Sequence, residues 1–256
     1  MKKIKGIKIW VFILFTLGII SLGLYIYAWE YRKPLLEVDF FSLNKGRAIF
    51  VRTPMNKTIL IGGGQNSETI REITKQMPFY SKKIDTVIIP SATAAQIGGL
   101  IEIVDRYEIE EILIPKTLST STVLTQLMKE VRKNKIHVEE VERGDTIEIE
   151  NDLSFEILFP YEEFKFNKTS LPELGLAILY KDTGAYLMGN LSKTIQKDIA
   201  QNLSVTTKNI LEYYHSATDT KVSPDLVEKL DPKFTFSTKE KSIKWISEGV
   251  EWIKGK

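Results

Sequence analysis

The pattern of apolar and polar positions divides the chain into two parts. Residues 9–29 form a stretch of 21 residues without a charged side chain, which is long enough to cross the hydrocarbon core of a bilayer as a helix. From residue 36 onward, short apolar runs alternate with turn residues and with stretches of helical periodicity. The pattern therefore predicts one N-terminal transmembrane helix followed by an α/β domain.

The predicted elements of the α/β part are short and follow one another closely. The predicted strands cover residues 38–41, 48–52, 58–61, 86–90, 112–114, 136–141, 146–150, 154–159, 176–181, 185–188 and 210–213. The predicted helices cover residues 65–76, 96–107, 119–134, 193–201, 223–230 and 243–252. No tandem repeat or low-complexity tract interrupts this order, so a single domain is expected after the N-terminal helix.

The residues that flank the apolar stretch predict its orientation. Lys2, Lys3, Lys5 and Lys8 precede it, and basic residues remain on the cytoplasmic side of a membrane. Residues 26–30 contain no convincing small-x-small cleavage site, which favours an uncleaved signal anchor over a cleaved signal peptide. We therefore expect a cytoplasmic basic segment (residues 1–8), a transmembrane signal anchor (9–29), a linker (30–35) and an extracytoplasmic domain (36–256).

Composition excludes several kinds of chemistry. The chain has no cysteine and two histidines, His137 and His215, so it offers no disulfide, no thiolate ligand and no histidine-rich zinc site. Its 35 basic and 33 acidic residues are nearly balanced. Without residues 1–33 the net charge is about −3, which lacks the basic excess typical of nucleic-acid-binding domains.

Five segments of the chain resemble one known family. Residues 47–64 resemble a GDAILIRTPxGKTILIDGG motif, and residues 84–100 resemble an IDxLxLTHxDxDHIGGL motif in register. Residues 136–160, 185–190 and 215–227 resemble three further motifs in the same order. The family with these motifs is the metallo-β-lactamase-like domain of ComEC-type competence proteins. The resemblance implies a four-layer αββα sandwich, in which two mixed sheets lie between outer helices.

The chain departs from this family at the positions that resemble metal ligands. These degenerate pocket positions are Ser91, Thr93, Ala95, Gln96, Asn190, His215 and Ser216. In addition, Arg47 and Gly62 stand where the family motifs have aspartates. A hydrolytic zinc site needs about three protein ligands and an open position for water. Of the residues named here, His215 alone is a candidate ligand, so we expect no metal, no other cofactor and no catalytic residue.

Other candidate residues have structural interpretations. His137 lies in a predicted strand outside the family's ligand motifs and is expected to be a surface residue. A serine nucleophile at Ser91 or Ser216 would need a base and an orienting acid, and His215 is adjacent in sequence to Ser216, so their side chains would point apart in a strand. Residues 62–64 and 98–99 are glycine-rich but lack a following Lys-Ser/Thr, so turns and close packing are expected there instead of a phosphate loop.

Two functional hypotheses follow. The leading one is a membrane-anchored, extracytoplasmic, metal-free pseudoenzyme that keeps the ComEC-like fold for binding or assembly. The alternative is a divergent phosphodiesterase-like or nuclease-like hydrolase with non-standard metal ligands. The expected partners are the membrane, through the N-terminal helix, and an envelope protein. Nucleic acid enters only through the family resemblance, since ComEC-type domains are placed outside the membrane near incoming DNA.

Overall fold

A computed structural model describes residues 2–30, 35–78, 80–116, 121–161, 173–213, 222–237 and 242–255 of the protein. The chain divides into two units, Met1–Pro34 and Leu35–Lys256. The first unit contains helix α1 (Lys2–Glu30), whose side chains are described for residues 10–25. Large apolar side chains from Trp10 to Tyr25 are exposed along it. Among the described residues, no helix satisfies both the length and the apolarity that a membrane crossing requires.

The second unit is built on two sheets. The first sheet has eight strands in the order β14-β13-β1-β2-β3-β4-β5-β6. Its strands are β1 (Leu36–Ser42), β2 (Arg47–Arg52), β3 (Thr58–Ile61), β4 (Lys83–Ile88), β5 (Glu108–Pro115), β6 (His137–Val141), β13 (Ile243–Ser247) and β14 (Trp252–Lys254). The pairs from β3 to β6 are parallel, whereas the pairs from β14 to β3 are antiparallel.

The second sheet has six strands in the order β12-β11-β10-β9-β8-β7. Its strands are β7 (Thr146–Glu150), β8 (Leu153–Phe159), β9 (Gly175–Tyr180), β10 (Thr183–Leu187), β11 (Lys208–Tyr213) and β12 (Phe234–Ser237). Strands β10, β11 and β12 pair in parallel, and β7 to β10 form an antiparallel meander. Both sheets are therefore mixed.

Helices cover the outer faces of both sheets. They are α2 (Glu68–Gln76), α3 (Ala94–Ile97), α4 (Leu100–Arg106), α5 (Thr122–Lys133), α6 (Lys193–Asn202) and α7 (Pro224–Leu230). Buried side chains of α2 to α5 join the outer face of the first sheet in one apolar cluster. Those of α6 and α7 join the outer face of the second sheet in another. A third cluster fills the space between the sheets, which makes a four-layer αββα sandwich.

Alternation along the strands assigns side chains to these layers. In β2, Ile49 and Val51 belong to the cluster between the sheets, whereas Ala48 and Phe50 belong to the cluster under the helices. In β11, Ile210 lies between the sheets and Leu211 lies under the helices. A strand with apolar residues on both faces is typical of sheets that are covered on both sides.

The C-terminal region differs from the sequence prediction. Residues 243–252 do not form a helix, because they contain β13, a turn and the start of β14. Trp245 and Ser247 are buried two residues apart, which is the period of a strand. Gly249 adopts a φ of +90° in the turn, a conformation that glycine accepts without steric cost. Strand β12 was absent from the prediction.

Smaller differences concern element ends. The predicted helix 96–107 is divided into α3 and α4. The hairpin between β9 and β10 turns at Lys181 and Asp182, because Tyr180 already pairs with Thr183. Helix α5 begins later than residue 119, since Ser121 is its N-cap. Strands β3 and β7 have the predicted bounds, and the other predicted elements are present with shifted ends.

The N-cap of α5 supports a prediction about stability. The Ser121 hydroxyl accepts a hydrogen bond from the Leu124 N–H at 3.2 Å and donates one to the Ala92 carbonyl at 2.6 Å. Ser121→Ala should lower the free energy of unfolding by about 1–2 kcal/mol, because it removes a cap and the link to the loop after β4. Denaturant-induced unfolding of the full chain measures this loss.

The matched control is Ser192→Ala at the N-cap of α6. The Ser192 hydroxyl accepts from the Ile195 N–H at 3.4 Å, a longer bond. We expect this variant to lower the free energy of unfolding by about 0.5–1 kcal/mol. Equal losses in the two variants would show that the bond to Ala92 contributes nothing to stability.

Candidate functional site

The loop that follows β4 carries the first four degenerate pocket positions. Ser91 is buried, and its hydroxyl lies 3.1 Å from that of Thr93. Ala95 is exposed in α3, whereas the neighbouring Gln96 is buried. These side chains are hydroxyls, a methyl group and an amide, so none of them contributes a charge to the loop.

A buried carboxylate connects this loop to the loop after β10. Gln96 Nε2 donates a hydrogen bond to Glu173 Oε1, and the Asn190 backbone N–H donates one to Glu173 Oε2 at 2.6 Å. Glu173 is 3% exposed and lies two residues before β9. It therefore links two of the positions identified from the sequence, Gln96 and Asn190, which are far apart in the chain.

Arg47 lies at the centre of the same group of side chains. It begins β2, is 2% exposed, and shares the inner face of that strand with Ile49 and Val51. Its Nη1 atom is 2.5 Å from Oε2 of Glu212, and its Nη2 atom is 3.2 Å from Oε1 of Glu173. Because Arg47 belongs to the first sheet and Glu212 to β11 of the second, the guanidinium joins the two sheets by ion pairs. We call Arg47, Glu173 and Glu212 the buried charge triad.

Burial makes each charge of this triad costly unless an opposite charge compensates for it. Moving an unpaired charge out of water costs several kcal/mol, so each member depends on its partners. Burial raises the pKa of Glu173 above its ordinary value, the positive charge of Arg47 opposes that rise, and the negative charge of Glu212 adds to it. The hydrogen bonds from Asn190 and Gln96 favour the ionised carboxylate. Donors therefore surround the Glu173 carboxylate on both oxygens.

Glycines give this group the space that it needs. A Cβ atom at Gly189 would lie 3.0 Å from Arg47 Nη2 and would collide with Glu173 Oε2. A Cβ atom at Gly62 would lie 2.9 Å from the Arg47 carbonyl oxygen and 3.4 Å from Gln96 Oε1. Gln96 Oε1 is buried and lacks a hydrogen-bond partner among the residues that the structure describes. Side chains at these two positions would thus displace the triad.

The described donors do not fit a metal centre. No group of three or more His, Asp or Glu side chains that could hold a metal ion occurs in the described ranges. The carboxylates of Glu173 and Glu212 already pair with a permanent cation, and a divalent ion beside Arg47 would meet its positive charge. Catalytic metal sites also need an open coordination position, whereas the triad is buried. His215 and Ser216 lie outside the described residues.

Sequence reasoning found part of this site and missed the acidic part. It identified the positions of Gln96 and Asn190, and it noted that Arg47 replaces an acid, but it did not single out Glu173 or Glu212. One signal for Glu212 was available, since it interrupts the apolar run 210–211 in a predicted strand. A buried arginine requires acidic partners, but the burial of Arg47 is visible only in the structure.

Two smaller expectations, on His137 and on the glycine-rich segments, agree with the structure. His137 is exposed at the start of edge strand β6. The glycines at 63 and 99 bring two backbone segments together, since a Cβ atom at Gly99 would collide with the Gly63 carbonyl. The Gly63 N–H donates to the Gln96 carbonyl at 2.7 Å, and the Gly99 N–H donates to the Gly64 carbonyl at 3.0 Å. Both glycine-rich segments thus serve close packing.

Comparison with solved structures defines the class of fold. The metallo-β-lactamase fold protein YhfI from Bacillus subtilis superposes with a TM-score of 0.56 at 10% identity, over 81% of this chain and 86% of that one. The diiron β-hydroxylase CmlA from Streptomyces venezuelae gives a TM-score of 0.51 at 14% identity, over 80% of this chain and 45% of that one. The chain has a metallo-β-lactamase-like fold.

Sequence comparison is more specific. ComE operon protein 3 from Bacillus subtilis (strain 168) is 25% identical over 221 residues, which cover 77% of this chain and 27% of that protein. The resemblance to ComEC-type proteins that the motifs predicted is thereby confirmed. The chain spans about a quarter of the length of this relative. No protein-family profile matches the chain.

The buried charge triad yields a prediction about stability and its pH dependence. Arg47→Met should lower the free energy of unfolding by about 3–5 kcal/mol at neutral pH, because it removes the guanidinium that pairs with two buried carboxylates. Removing Arg47 also removes a charge that lowers the pKa of Glu173. Since the folded-state pKa then lies further above the unfolded-state value, the variant should lose stability relative to wild type as pH rises from about 4.5 through that folded-state pKa.

Denaturant-induced unfolding at a series of pH values measures both effects. Arg52→Met on the same strand is the matched control, because Arg52 is partly exposed and pairs with Glu37 at 3.8 Å. Arg52→Met should lower the free energy of unfolding by about 1 kcal/mol or less. A constant difference between Arg47→Met and wild type across the pH series would contradict the electrostatic role of Arg47.

Proposed function

We propose that this chain is a membrane-anchored, extracytoplasmic module with a metallo-β-lactamase-like fold that works in binding or assembly without a metal. The observation that carries the proposal is the buried charge triad. Where the family resemblance implies ligands around a metal ion, the described residues have a guanidinium between two carboxylates. A pseudoenzyme of this kind keeps the fold and its loops but lacks the activated water of a metallohydrolase.

The chemistry of the loop after β4 supports the loss of hydrolysis. Catalytic zinc is bound by carboxylate, imidazole and thiolate groups. The loop offers none of these groups at Ser91, Thr93, Ala95 and Gln96. In the described part of the chain, the buried Ser91 hydroxyl bonds to Thr93. That arrangement supplies neither a general base nor an activated nucleophile.

The proposed location rests on the N-terminal sequence. The uncharged residues 9–29 follow four lysines, and the exposed apolar side chains between Trp10 and Tyr25 form the kind of surface that inserts into lipid. In this proposal residues 1–8 are cytoplasmic and the αββα domain lies outside the membrane. Its partner is an envelope protein, with nucleic acid as a further candidate through the similarity to ComE operon protein 3.

Metal content tests the proposed loss of the metal centre. The full chain, purified in detergent, should contain no stoichiometric zinc, manganese or iron by elemental analysis. Its Tm should be the same with and without a chelator, because a resident metal would stabilise the folded state by its binding free energy. Near-equimolar metal that survives dialysis would support the divergent hydrolase instead.

Reporter fusions test the proposed topology. A reporter that is active only in the cytoplasm should be silent when fused after Lys256, because the positive-inside rule places the C-terminal domain across the membrane. The matched control replaces Lys2, Lys3, Lys5 and Lys8 with glutamine and should raise the cytoplasmic signal. Strong cytoplasmic activity of the unaltered fusion would overturn the proposed location.

A further inference from the structure

We infer that Glu173 and Glu212 form a built-in cation site whose occupant is the Arg47 side chain, and that truncating Arg47 opens this site to a free guanidinium-type cation. The inference concerns a binding site and its ligand chemistry, and it does not rest on the proposed function. The metal content of the wild-type protein tests the proposed function. Cation binding by the Arg47 variant tests this inference.

The first support is that groups other than Arg47 hold the Glu173 carboxylate and the backbone of Glu212 in place. Glu173 accepts hydrogen bonds from Gln96 Nε2 and from the Asn190 backbone N–H at 2.6 Å. Glu212 lies on β11, which pairs with β10 on one side and β12 on the other. Because of these contacts, the Glu173 carboxylate and the Glu212 backbone should keep their positions when the arginine side chain is removed.

The second support is the charge balance. Two carboxylates face one guanidinium, and both acids are at least 97% buried. Removing Arg47 takes away the positive charge that offsets the repulsion between these two buried carboxylates, which disfavours their ionised forms. A positive ion that enters the site in place of Arg47 would relieve this repulsion.

The third support is shape. Nη1 and Nη2 of the planar Arg47 group engage different carboxylates, at 2.5 Å and 3.2 Å. A guanidinium presents several donors in a fixed plane, whereas an ammonium ion is a compact point charge. The missing Cβ at Gly189, which would lie 3.0 Å from Nη2, leaves room for the edge of that plane. The two carboxylates and Gly189 thus suit a planar cation better than a compact point charge.

Chemical rescue tests the inference in the full chain. Arg47→Ala should melt below wild type, and millimolar methylguanidinium should raise its Tm by about 3–6 °C, since a ligand that binds the folded state alone stabilises it. The same concentration should leave wild type unchanged. Methylammonium should give less than half of the rise, because it cannot bridge both carboxylates.

Two matched variants make the result specific. Arg52→Ala removes a partly exposed arginine from the same strand and should show no rescue. The triple variant Arg47→Ala, Glu173→Gln, Glu212→Gln lacks the carboxylates and should not respond to methylguanidinium. Rescue of either control, or no rescue of a folded Arg47→Ala protein, would overturn the inference.

A failure of Arg47→Ala to fold is also informative when the triple variant is compared. If the unbalanced carboxylates cause the failure, the triple variant should fold, and methylguanidinium should increase the yield of folded Arg47→Ala upon refolding. If the triple variant fails as well and methylguanidinium has no effect, Arg47 acts through packing and the cation site is refuted.

Discussion

A positive charge buried between two sheets is the constraint on which this structure depends. Arg47 cannot reach water, so the second sheet and its loops must supply negative charge inside the fold. Glu212 supplies it from β11 and Glu173 from the segment before β9. The Gln96 amide and the Asn190 N–H then satisfy the oxygens of Glu173, and Gly189 leaves the necessary space. Residues from four separate parts of the chain thus contact or support this one side chain.

This arrangement also explains why the departures from the family pattern are compatible with a folded domain. A buried arginine at position 47 would strongly destabilise the fold if it were the only charge there. The same holds for Glu173 and Glu212 without the arginine. Together they neutralise most of each other's charge. The neutral side chains of Ser91, Thr93 and Gln96 add no further repulsion, because hydroxyls and amides carry no net charge. The described side chains of this site therefore largely balance one another's charge.

The sequence predicts the layers of this fold better than its edges and its site. Strands such as β2 and β9 are apolar on both faces, a pattern that follows from burial between two layers. The error at residues 243–252 arose because Trp245 and Trp252 also suit a helical spacing. The turn at Gly249, which separates β13 from β14, is apparent only in the structure. Strand β12 is four residues long, which is too short for a periodicity to show. The ion pair between Arg47 and Glu212 joins residues 165 positions apart, and no local pattern encodes such a pairing.

The position of Arg47 on the inner face of β2 has a consequence for how uniquely the chain folds. Side chains alternate between the faces of a strand, so a slip of one residue in the pairing of β2 would turn Arg47 toward the helices. The apolar residues of β2 would tolerate this slip, because both of its faces are apolar. The arginine would not tolerate it, since it would be buried without Glu173 and Glu212, at a cost of several kcal/mol. The ion pair therefore acts as a register mark, which discriminates the native strand alignment from neighbours that hydrophobic burial alone would accept.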